Sequence, residues 1–124
     1  MARLSRRVAT LLTVAVAGLA LSACGTGGAV ADARAACRDV HVALRIQAQS
    51  EQPGISGARQ SRLQNNAMSA LLKATPAAAA ATSADGSWNP LMTTINEAER
   101  VPLSNLVASL TRLCQVADSS TPYL

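Results

Sequence analysis

The chain has 124 residues, with 11 Lys or Arg against 7 Asp or Glu, one Trp, one Tyr and no Phe. That length allows one small domain with one core, and so few aromatics make the core aliphatic. Three basic residues, Arg3, Arg6 and Arg7, lie at the extreme N-terminus; taking them from the eleven leaves eight against seven acidic residues over the rest of the chain. Such a balance lacks the basic excess that nucleic-acid binding draws on, so no nucleic-acid partner is expected.

The arginines are followed by an apolar stretch from Val8 to Leu21, then by the small residues Ser22 and Ala23, then by Cys24. This order of basic, apolar and small segments is that of an export signal. The apolar stretch makes about 21 Å of helix, short of the roughly 30 Å hydrocarbon core of a bilayer, so a permanent span is not expected. The tetrapeptide Leu21-Ser22-Ala23-Cys24 resembles the lipobox of bacterial lipoproteins. That resemblance implies a signal peptide over residues 1–23 and a mature chain that starts at Cys24. The Cys24 thiol would become a thioether to diacylglycerol, and the protein would sit on a cell membrane facing outside the cytoplasm. Small side chains at 22 and 23 suit a peptidase groove, and two or more acyl chains anchor stably where one is marginal. Ser5-Arg6-Arg7 also raises twin-arginine export, although Ala9 and Thr10 stand where that signal prefers bulky apolar residues. The resemblance ends with the export segment.

Residues 24–31, beginning Cys24-Gly25-Thr26-Gly27-Gly28, read as a lipidated tether, and residues 32–124 as a helical domain. From Asp32 to about Ser50, Ala33, Cys37, Val40, Leu44 and Ala48 recur at helical spacing, and Pro53-Gly54 ends the run. A second helix is expected from about Ser56 or Ser61 to Ala74, with Leu63, Ala67, Leu71 and Ala74 in register and Ser61 to Gln64 offering a capping box. Thr75-Pro76 breaks it. Residues 75–87 read as a connection, compatible with one helical turn through Ala77 to Ala81. Asn89-Pro90 marks a third helix, an Asn cap followed by proline, with Leu91, Ile95 and Ala98 on one face and a stop at Pro102. Leu103, Leu106, Val107, Leu110, Leu113, Cys114 and Ala117 share a stripe in a fourth. No segment alternates as a strand would. The expected fold is all-α, a small antiparallel bundle of about four helices.

With Cys24 lipidated, Cys37 and Cys114 remain as an even pair in an exported protein, and a disulfide between first and last helix is the economical reading. Cys37, His41 and Cys114 could instead supply three metal ligands, but a fourth is not apparent, so no metal and no cofactor are expected. The glycines of residues 25–28 follow no strand, and nucleophile elbows and metal-ligand clusters are absent from the sequence; no catalytic residue is assigned. The function expected is therefore that of a non-catalytic protein-binding or envelope-support module, with a carrier of a small apolar ligand in a groove of the bundle as the alternative. Val42 and Ile46 lie off the Cys37, Val40 and Leu44 face and form a second apolar ridge, the candidate partner surface.

Overall fold

The computed structural model describes the backbone of residues 26–121 and the side chains of 28–121; the expected signal peptide, Cys24 and Tyr123 lie outside these residues. The described residues hold five α-helices and no strand: α1 (Thr26–Ser50), α2 (Gly57–Leu72), α3 (Thr75–Ala84), α4 (Asn89–Glu97) and α5 (Val107–Asp118). Short 3₁₀ turns at Gly86–Trp88 and Leu103–Asn105 lead into α4 and α5. Among the described residues no helix is long and apolar enough to cross a membrane.

α1 begins within the stretch expected as a tether, and Ala29 is fully buried. Residues 26–31 therefore belong to the helical domain. Five alanines between 29 and 36 carry the highest helix propensity of any residue, and the burial of Ala29 holds the first turns on the core. The buried stripe of α1 is also rotated from the one expected. Ala29, Ala33, Ala36, Val40, Ala43, Gln47 and Ser50 are buried, Leu44 is half-buried and Ala48 exposed. Repeated steps of four overshoot a helix of 3.6 residues per turn and drift off the contact line, whereas alternating steps of four and three stay on it.

This seam is built of small side chains, which lets α2 and α3 lie close against α1. The two cover it between them: 16 and 10 residues make about 39 Å of helix, against about 37 Å for the 25 residues of α1. They are parted by a 3₁₀ kink at Lys73-Ala74, where Ala74 N–H bonds Leu71 O at 2.9 Å, because Pro76 has no N–H to donate into a continuous helix. α3 is thus a helix where a connection was expected. The alanine run looked featureless because alanine carries little hydrophobic contrast, yet Ala74, Ala78 and Ala81 are fully buried. At the polar end of the seam, Ser50 Oγ donates to Gln47 O at 2.6 Å and Gln47 Nε2 to Glu51 Oε1 at 2.9 Å, so both buried polar side chains are satisfied.

The turn from α1 to α2 uses Gly54 at φ 78°, a left-handed conformation that glycine adopts without strain. Ser56, and not Ser61, then caps α2: its Oγ accepts from Arg59 N–H at 3.2 Å. Ser56→Ala should cost about 1 kcal/mol, or a fall of about 4–8 °C in melting temperature for a domain of this size. Ser61→Ala, in the helix interior, should leave the melting temperature nearly unchanged. Thermal unfolding by circular dichroism checks both.

Asn89 does not cap α4 either. Asp85 opens the preceding 3₁₀ turn, its carboxylate accepting from Ser87 N–H at 3.0 Å. The Ser87 backbone N–H, then its hydroxyl, hold the Asp85 carboxyl below the ordinary carboxylate range. That contribution is present above the unfolded-state pKa and is lost as pH falls through the folded one. The turn buries Trp88 between α3 and α4. In α5, Leu110, Cys114 and Ala117 are buried, while Val107 and Leu113, like Leu106 just before the helix, are half-buried; the Leu103–Asn105 turn separates Leu103 from the stripe expected to be continuous.

Candidate functional site

Arg34, Cys37 and His41 recur at three and four residues and lie along one side of α1. The structure brings all three onto the C-terminal half of α5. Cys37 and Cys114 form a disulfide with a Cα–Cα distance of 5.5 Å across a sequence separation of 77, both residues fully buried. Arg34 Nε donates to Ala117 O at 2.8 Å and a second guanidinium nitrogen to Ser119 O at 3.0 Å. The Ala117 carbonyl belongs to the helix end that has no intrahelical donor, and the guanidinium charge sits at the negative pole of the helix. His41 Nε2 lies 2.9 Å from Asp118 Oδ2, with both side chains about half exposed, 47% and 46%. Solvent screens such a pair, so it contributes little to stability.

This clasp fastens the last helix to the first and offers no reactive group. The sulfurs of both cysteines are consumed in the disulfide, which removes the thiolates that a nucleophile or a metal ligand requires. Among the described residues no three His, Cys, Asp or Glu side chains converge on a point where an ion could be held.

The expected apolar ridge is divided. Val42 is 37% exposed, whereas Ile46 is half-buried and packs against the core. The rotation of the buried seam explains this, since it moves the core line towards the ridge far enough to reach Ile46 and not Val42. The same rotation sets Arg34, Arg38, His41 and Arg45, all exposed, within about 60° of one another on the solvent face of α1. Val42 lies at the edge of that column, about 40° from Arg38 and about 60° from Arg45. Sequence reasoning missed it, although steps of four, three and four between basic residues were its signal.

The column leads to the α1–α2 turn, where an open recess of about 580 Å³ is lined by Gln49 near the end of α1, by Gln52 in the turn and by Ser56 and Arg59 at the start of α2. Arg59 also borders a second recess of about 400 Å³, with Arg62, Leu63, Asn65 and Asn66. Residues 52–84 contain Arg59, Arg62 and Lys73 and no acidic residue. The arrangement can present fixed positive charge and amide donors to an anionic group, over a short reach of exposed apolar surface. Compared with protein-family models, curated protein sequences and solved structures, the chain matches none of them.

Proposed function

We propose that this chain is a small bacterial lipoprotein. It is exported, cut before Cys24 and held by lipid on the extracytoplasmic face of the cell membrane. There an antiparallel helical bundle acts as a non-catalytic module that binds a protein partner or supports an envelope complex. The observation that carries this reading is the order of residues 3–24, three arginines, an apolar stretch of signal length and Leu21-Ser22-Ala23-Cys24. A disulfide between Cys37 and Cys114 accords with an oxidising compartment. The start of α1 at Thr26 would leave hardly any slack between an anchor at Cys24 and the bundle. Both recesses are open to solvent, which favours surface binding over carriage of an apolar ligand, since that needs an enclosed apolar groove.

Intact-mass analysis of the protein taken from membranes tests the anchor. The expected mass is that of a chain beginning at Cys24 plus diacylglycerol, with or without a further acyl group, and Cys24→Ala should abolish both processing and membrane retention. An unmodified soluble chain that begins elsewhere would overturn the reading. In-cell crosslinking and pull-down, comparing the wild type with Cys24→Ala, then tests whether capture of a partner depends on the anchor.

A further inference from the structure

We infer that the solvent face of α1 that carries Arg38 and Arg45, with Val42 at its edge, docks an acidic segment of a partner protein. The inference rests on the reading of the protein as a partner-binding module and gives that partner a chemistry.

On its arginine side this face carries free positive charge. Arg34 is committed to the carbonyls of Ala117 and Ser119, and Asp118, the carboxylate that enters the column, is bound to His41. Asp39, half-buried, neighbours Val42 on the side away from the arginines, about 100° and about 120° round the helix from Arg38 and Arg45, and Asp32 is half-buried further round. Arg38 and Arg45 have no carboxylate partner among the described residues. They are seven residues apart, about 10.5 Å along the helix axis. Carboxylates at i and i+7 of a helix match that interval, as do those at i and i+3 of an extended chain at about 3.3 Å per residue. Each guanidinium can take a carboxylate through two parallel hydrogen bonds. Val42, to one side of the pair and between them along the axis, offers an apolar contact beside the two guanidinium groups.

The shape favours a polypeptide over a bilayer surface. Past Arg45 the face runs by Gln49 into the recess that Gln52 and Arg59 border, a hollow that a chain can enter and a flat headgroup layer cannot. Two free arginines would strengthen attachment to an anionic membrane by only about fivefold each. The face also runs away from the start of α1: Arg38 lies twelve residues beyond Thr26, about 18 Å along the helix.

The test uses the full chain purified from membranes in neutral detergent and a fluorescein-labelled helical peptide with Glu at i and i+7 and Leu at i+4. Fluorescence polarisation should show saturable binding that weakens as salt is raised. Arg38→Gln with Arg45→Gln should reduce affinity at least tenfold and Val42→Gln about fivefold, while Arg100→Gln with Arg112→Gln should change it less than twofold. The inference is overturned if the Glu peptide does not bind, if a Gln-substituted peptide binds as well, or if the Arg100 and Arg112 pair matters equally. It is also overturned if anionic lipid nanodiscs, and not the peptide, protect Arg38 and Arg45 from phenylglyoxal, since the face would then meet the membrane. Cys24→Ala protein from the same cells keeps the two readings apart: should the anchor reading fail, it still binds the peptide; should the docking face fail, the lipid remains on Cys24.

Discussion

Replacing Cys37 and Cys114 together by alanine should lower stability by up to roughly 4–5 kcal/mol, the chain-entropy value for a loop of this length. The sequence separation is 77, and without the link the unfolded chain regains the freedom that this closed loop denies it. The measured loss should fall below that figure to the extent that the unfolded chain is already compact. Even so it is a large share of the 5–15 kcal/mol typical of a whole domain. The core makes this dependence acute: of the twenty buried hydrophobic residues among those described, eleven are alanine, and a methyl group removes little area from water. Alanine is the better replacement than serine, because a buried hydroxyl without a partner carries its own penalty. Urea unfolding with and without reductant measures the loss, and a chelator should change nothing. Two reactive thiols in the unfolded, unreduced protein would refute the bridge. In the reduced protein Arg34 still holds the carbonyl end of α5, so the helix should persist while its amides exchange faster.

Trp88→Ala is expected to cost about 3–5 kcal/mol, the range for emptying a large aromatic site. Trp88 is 1% exposed and is the largest fully buried side chain among the described residues. It reaches the core because the Asp85-capped turn aims it between α3 and α4. Alanine-rich helices cannot supply side chains long enough to collapse into the space it would leave. Trp88→Phe, which keeps most of the volume, should lose markedly less. Equilibrium unfolding gives both values, and a loss below about 1 kcal/mol for the alanine variant would mean that the helices close over the site. In the wild type the indole should emit as a buried fluorophore and shift to the red in the same transition that the helical signal reports.

Much of the helical content was legible because its causes are local. Pro53-Gly54, Thr75-Pro76 and Pro102 interrupt helices through dihedral limits and a missing N–H that hold in any context. The starts were harder to read. Ser56 and Ser61 are both competent caps, and the choice falls on Ser56 because the chain leaves the Gly54 turn there. Asn89-Pro90 does open α4, but Asn89 makes no side-chain cap there; the cap falls to Asp85 on the 3₁₀ turn before it, which turns Trp88 inward.

By itself the sequence determined an all-helical chain with apolar stripes, turn positions and one pair of cysteines in a helical domain. These follow from propensity, periodicity and chain chemistry, which act over a few residues. Only the tertiary structure decided that the alanine run of residues 77–81 is part of a packed helix, because the burial of a methyl group depends on how closely another helix approaches. It likewise decided the rotation of α1: which residues lie at the centre of a stripe is set by the partners on either side, here α2, α3 and α5. That rotation buries Ala36, Ala43 and Gln47, tucks Ile46 against the core and leaves Val42 outside. It also lines up Arg34, Arg38, His41 and Arg45 on one face, the first closing over the end of α5 and the others turned to solvent.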